Sequence, residues 1–243
     1  MLENQFIQFT SEIDPLKREI ALPIVSGKEH KIFLAENSSI DSQFRVDIVT
    51  PNGDVIVEEY ASTYGLQIAI NDLSALAPNE CFRLKKTYET NKGDIEVEYS
   101  NLLRKADDDE QLSMLKYKCY EDALGFPFAG GAYVSQSLPI LLSKPQFNQE
   151  DKIYTKRDGE QVVLHSSITK EYEGETDYIP MEWHEKILIA LTCDEVYIDD
   201  ERVTKSDNYE IDQENYTFSD NGIRLTKATF KAKTNITQRN SNY

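Results

Sequence analysis

The chain is poor in the residues that most often carry chemistry or cross-links. Among 243 residues there are three histidines, three cysteines and one tryptophan. Cys81, Cys119 and Cys193 are odd in number and widely spaced, which excludes a closed disulfide framework and a CxxC zinc knuckle; they read as free, small, buried thiols in a reducing compartment. No apolar run approaches the roughly 18 residues of a membrane-spanning helix, and Met1-Leu-Glu-Asn-Gln lacks the basic and apolar blocks of a signal peptide. The expectation is a protein that stays where it is made and makes no membrane contact. Basic side chains are also scarce, 26 against 43 acidic, for a net charge of -17. That balance excludes a conventional duplex-binding module, whose affinity comes from Lys and Arg displacing counterions.

What is present favours an ordered β-rich fold. Hydrophobic residues make up 40% and aromatics 10%, with 14 Tyr and 10 Phe, enough to bury a substantial core and enriched in strand formers. Charge is unevenly spread. From Ile223 to Tyr243 there are five basic residues (Arg224, Lys227, Lys231, Lys233, Arg239) and no acidic ones, leaving about -22 on residues 1–222. Glu171 to Glu201 holds eleven acidic side chains and one basic, Lys186. Such a density repels itself unless a cationic surface meets it.

Period-two alternation and turn chemistry organise the chain. Phe44-Arg-Val-Asp-Ile-Val49, the turn Pro51-Asn-Gly-Asp54 and Val55 to Tyr60 read as strand, turn, strand. Cys81 to Tyr88 pairs across Asn91-Lys-Gly-Asp94 with Ile95 to Tyr99. Lys31 to Leu34, Gly65 to Ile70 and Met114 to Tyr120 add strands, and Gly125-Phe-Pro-Phe-Ala-Gly-Gly-Ala132 reads as a linker or exposed loop. Beyond it, Ser137 to Leu142 is an apolar strand whose proline suits a start or an edge. Ile153 to Lys156 and Gln161 to His165 flank an Asp158-Gly159 hairpin turn. Pro180 to Leu191 is the one convincing helix, with Trp183, Ile187, Ala190 and Leu191 on one face. Val196 to Val203 reads as a tight hairpin, and Tyr209 to Ile211, Asn215 to Phe218 and Ala228 to Lys233 complete the sheet. The predicted class is mainly β: two β-sandwich-like domains with one short helix in the second. Residues 1–122 form the first, 123–136 a Gly/Pro-containing linker or loop, and 137–243 the second, with the helix near 180–192 and the basic C-terminal segment.

Constellations that carry chemistry are missing from the pattern. His184-Glu185 suggests a zincin helix, but Leu188 stands where the second histidine belongs, so His184 reads as a helix-capping residue beside a packed Trp183. His30 and His165 have no serine elbow or cysteine partner. Glu171, Glu173, Glu175 and Asp177 alternate as the solvent face of a strand would, rather than as a catalytic carboxylate pair. Asp199-Asp-Glu201 lacks the spaced ligands and glycine of a calcium loop and reads as a hairpin turn. The expectation is no catalytic residue, no cofactor and no metal site.

Four stretches carry a resemblance. They are Leu138-Pro-Ile-Leu-Leu-Ser-Lys-Pro-Gln-Phe147, Tyr154-Thr-Lys-Arg-Asp-Gly159, Lys170-Glu-Tyr-Glu-Gly-Glu-Thr-Asp-Tyr178, and Trp183 through Ile198. Tyr117 to Phe126 and Gln238 to Tyr243 fit as well. Together they resemble a group of virion proteins of bacteriophages infecting Bacteroides-type hosts, similar to the ring proteins below the portal of crAss-like phages. The resemblance implies a tail or neck component without an active site, made in the host bacterial cytoplasm and located in the virion. It implies a homo-oligomeric ring of β-sandwich subunits that contacts other tail, portal or ring proteins, with genomic DNA passing through unbound. A ring requires two unlike, mutually fitting surfaces on each subunit. The expected interface sets Arg224, Lys227, Lys231, Lys233 and Arg239 of one subunit against Glu171, Glu173, Glu175 and Asp177 of its neighbour, and an acidic bore would let DNA slide. The alternatives are a baseplate adaptor or a carbohydrate-binding β-sandwich that stacks sugars on surface Tyr and on Trp183.

Overall fold

The computed structural model describes residues 5–34, 43–63, 67–90, 92–119 and 133–240, with 235–240 through their backbone. The fold is mainly β and β-sandwich-like, with one helix among the described residues. In the first half the strands are β1 (Phe9–Thr10), β2 (Leu22–Ile24), β3 (His30–Phe33), β4 (Phe44–Val49), β5 (Val55–Thr63), β6 (Gln67–Ile70), β7 (Cys81–Glu89), β8 (Ile95–Ser100), β9 (Leu103–Lys105) and β10 (Ser113–Lys118). Then follow β11 (Val134–Leu138), β12 (Ile140–Leu142), β13 (Gln146–Thr155), β14 (Gln161–Thr176), β15 (Ile179–Pro180), helix α1 (Met181–Ala190), β16 (Glu195–Ile198), β17 (Glu201–Lys205), β18 (Glu210–Phe218) and β19 (Arg224–Asn240).

A seven-stranded sheet runs β1-β8-β7-β4-β5, with β9 joining β7 to β2, and β3 and β6 form a separate ribbon. The two predicted hairpins are its backbone: β4 pairs with β5 and β7 with β8, all antiparallel. Asp47 breaks the first of them. Its buried carboxylate accepts the Glu59 N–H at 2.7 Å, and Glu59 sits at φ 51 where the register slips. The resulting bulge twists the outer strand and blunts that edge.

The ten-stranded sheet runs β11-β10-β16-β17-β19-β14-β12. Its two end strands, β11 and β12, are consecutive in the chain and separated by Pro139 alone. One proline-interrupted strand therefore pairs with β10 through its first half and with β14 through its second, so the strands form a closed path. Closure removes exposed edges. Helix α1 follows Pro180 at its N-cap, carries Glu182 in its first turn, and packs Trp183, Ile187 and Ala190 inward beside β15 and β19.

The predicted division at residue 122 does not follow the sheets. β10 lies before that boundary, yet its partner β11 begins inside the predicted linker and its partner β16 lies after it. Residues 123–132 of that linker lie outside the described residues; from Val134 the chain is a wholly buried strand, not a loop. Polar residues in β11 misled the reading because they bond across to the first half. Ser135 Oγ donates to Glu29 O (2.7 Å) and accepts from Lys31 N–H (2.8 Å), while Gln136 Nε2 donates to Pro23 O (2.7 Å). One hydrophobic cluster consequently spans both halves, from Phe6 to Ala232.

Two buried polar groups set measurable terms. Lys86, 3% exposed, donates to Leu34 O (2.7 Å), meets Glu98 Oε2 at 2.6 Å, and lies 4.8 Å from the Phe9 ring centre. Removing Glu98 leaves a buried cation short of its counter-charge. Glu98→Ala is expected to cost about 3 kcal/mol, whereas Glu58→Ala, at the exposed end of the Arg45 pair, costs under about 1 kcal/mol; urea unfolding at pH 7 checks both.

His30 is fully buried, and burial pushes its imidazole down to about 4 against the partial support of the Val25 backbone. The unfolded chain takes up this proton near pH 6.5, and the fold does not until about 4. Stability is thus full above 6.5 and falls as pH drops from 6.5 to 4, by about 3 kcal/mol at most. In His30→Gln the loss over that window is predicted to shrink by this amount. Parallel pH profiles of the two unfolding free energies would contradict the assignment.

Candidate assembly surface

The acidic and basic stretches meet inside one chain. β14 and β19 are antiparallel neighbours in which Glu171 faces Lys233, Glu173 faces Lys231 and Glu175 faces Thr229. Lys227 Nζ lies 3.3 Å from Asp177 Oδ1 and 3.6 Å from Glu175 Oε1. These pairs line the solvent face; Tyr172, Gly174, Phe230 and Ala232 alternate with them on the buried face. Within the subunit Lys227 is therefore engaged by Glu175 and Asp177, while Lys231, opposite Glu173 in the ladder, lies 3.8 Å from Asp207. Of the remaining basic residues, Arg224 stacks over Tyr216 and donates to Gln213 O (2.6 Å), and Arg239 is opposite Ser166 in the ladder.

Gly174 is the residue on which this ladder closes. A Cβ there would lie 2.3 Å from Phe230 Cζ and 2.6 Å from both Cε atoms, so the Phe230 ring lies flat over the glycine. Tyr209 stacks on that ring with centroids 5.9 Å apart and planes 18° from parallel. The sequence reading missed the close approach; a lone glycine in an alternating strand was its signal.

Beside this ladder lies an open groove of about 510 Å³. Leu141, Leu142 and Phe230 line it together with the carboxylates of Glu173, Glu175, Asp207 and Glu210 on its rim. Lys231 enters the rim, 3.8 Å from Asp207.

A second feature lies past the closed sheet. β13, the first half of β14 and the end of β19 continue as a three-stranded arm. All ten residues of β13 are exposed, and its outer edge has no partner strand among the described residues. Its register slip with β14 falls on the β14 side, where Leu164 is skipped, so β13 itself stays regular. Phe147 is 64%, Tyr154 56% and Ile153 54% exposed, with Val163 and Leu164 also outside. Composition had shown strands here without showing that they leave the body.

The His and Asp positions set aside as ligands in the sequence have structural roles. Asp199 and Asp200, at φ 49 and 66, form the β16–β17 turn, and Asp199 Oδ1 accepts the Met114 N–H at 2.8 Å. His184 is not a helix cap. It is fully buried: its Nε2–H donates to the Thr226 carbonyl (3.0 Å), which leaves Nδ1 to accept from the Tyr209 hydroxyl (2.7 Å). Burial lowers its pKa despite the Thr226 bond. Trp183 is 7% exposed, which removes it as a sugar platform. Cys119 and Cys193, distant in sequence, share a side-chain hydrogen bond, and burial raises both thiols. Among the described residues no group of three or more His, Cys, Asp and Glu could hold a metal ion, and no helix is long and apolar enough to cross a membrane.

No family model, curated protein or solved structure matches the chain.

Gly174→Ala is expected to destabilise the fold by about 1–3 kcal/mol, since the added Cβ would meet the buried Phe230 ring at 2.3 Å. Adding Phe230→Leu should recover part of that loss, a coupling that a double-mutant cycle in urea reads directly. Strict additivity would contradict the close approach.

Proposed function

We propose that the protein is a structural subunit of a bacteriophage tail or neck, forming a homo-oligomeric ring around the DNA exit channel between portal-proximal and distal parts. The observation that carries the assembly reading is the arm. A three-stranded sheet with solvent on both faces buries little apolar surface and is marginal alone. Exposed apolar side chains on an ordered element favour cover. Phe147 and Ile153 stand on one face of β13 and Tyr154 on the other, with Val163 and Leu164 exposed on β14.

The virion context rests on the resemblance carried by Leu138 to Ile198, which includes the arm and its root. A net charge of -17 supports a DNA-conducting role through repulsion, because acidic walls add no salt-dependent hold on phosphate. Neighbouring tail, portal or ring proteins would contact its remaining faces, and the DNA would pass without specific binding.

Negative-stain microscopy of the purified protein, with its mass by light scattering, tests the reading. Closed annuli of uniform diameter are expected. A monomer over a hundredfold range of concentration would contradict self-assembly into a ring.

A further inference from the structure

Resting on the assembly reading, we propose that the arm tip of one subunit seats in the acidic groove of the next, making the head-to-tail contact of the oligomer. The two surfaces match in chemistry. At the tip, Arg157 has no ion pair or hydrogen bond among the described residues, whereas its neighbour Lys156 is already held by Glu160 at 2.6 Å. Ile153 and Tyr154 stand exposed just behind it. The groove offers the complement: Glu173 and Glu210 line it beside the exposed Leu141, while Glu175 and Asp207 are engaged by Lys227 and Lys231. A guanidinium fits carboxylates in a bidentate fork, and an aromatic ring with a polar tip fits an exposed leucine among carboxylates.

Geometry excludes the arm's own groove. β14 is one strand from Gln161 at the tip to Glu173 at the rim, a separation of about 40 Å at 3.3 Å per residue. A strand cannot fold back on its own root, so the tip reaches only another molecule.

Charge selects a second copy as that molecule. The body is acidic enough to repel another copy, but Gln146 to Lys170 carries four acidic and four basic side chains. The arm is the part of this chain that can approach an acidic body without net repulsion. Donor and acceptor are different surfaces, so the contact is heterologous, and repeating it closes a ring when the rotation permits.

The test uses the full chain and measures mass by sedimentation. An arm variant, Tyr154→Ser with Arg157→Glu, and a groove variant, Glu173→Lys with Glu210→Lys, alter exposed positions; Arg157→Ala is a milder probe of the same contact. Each variant alone is expected to associate roughly tenfold or more weakly than wild type. Mixed, they should form a one-to-one dimer and nothing larger, since the groove-intact arm variant accepts the arm of the groove variant and both other surfaces are blocked. Arm variants that assemble as wild type does, or a mixture that stays monomeric, would overturn the arm-in-groove contact while leaving assembly intact. Wild-type protein that is itself monomeric throughout would overturn both.

Discussion

The β14–β19 ladder is the constraint on which the rest of the molecule depends. β19 is bonded to β14, β15, β17 and β18, so four elements take their position from it. Its two faces serve different physics. Inward, Phe230 lies over Gly174 and joins the core; outward, lysines meet glutamates that would otherwise repel one another along a single strand. Exposed ion pairs contribute little stability one by one. The apolar side fixes the register: a slip of two residues would still set Lys231 and Lys233 opposite Glu175 and Glu173, but it would put Phe230 against the Thr176 side chain in place of Gly174.

Satisfying that complementarity internally changes what the outside of the protein can do. The edge at β5 is blunted by the Asp47-capped bulge, and the ten-stranded sheet hides its ends by sharing the strand that Pro139 interrupts. Against this background the regular, fully exposed β13 is an edge guarded only by the charges of Glu150, Asp151 and Lys152. Proteins usually manage such edges with bulges, charges or cover. An arm that keeps apolar residues outside and has no bulge on its own side is suited to being covered by a partner.

Much of this architecture was legible in the sequence, and the misses share a cause. The β4–β5, β7–β8, β13–β14 and β16–β17 hairpins and helix α1 followed from alternation, turn residues and Pro180, because those signals are local. The second sheet's closure was not legible, since nothing local to Val134–Leu138 says that a strand of Val-Ser-Gln-Ser-Leu is buried on both faces; Ser135 and Gln136 are satisfied by Glu29, Lys31 and Pro23 over a hundred residues earlier. For the same reason β10 was assigned to the wrong half. The acidic and basic stretches were identified correctly as complementary, but charge counts carry no information on whether two segments meet within a chain or between chains. Only the strand register decides that, and Gly174 was the sequence's one hint of it.

Strand pairing along β14–β19 is internal to the subunit, whereas the arm is left uncovered. Hydrogen–deuterium exchange on the full-length protein, dilute and concentrated, tests that division most directly. Slow exchange at Glu171 to Thr176 under both conditions, with β13 amides becoming slow only in the concentrated, assembled sample, is the predicted result. Concentration-dependent protection at Glu171 to Thr176, with β13 exchanging fast throughout, would contradict it.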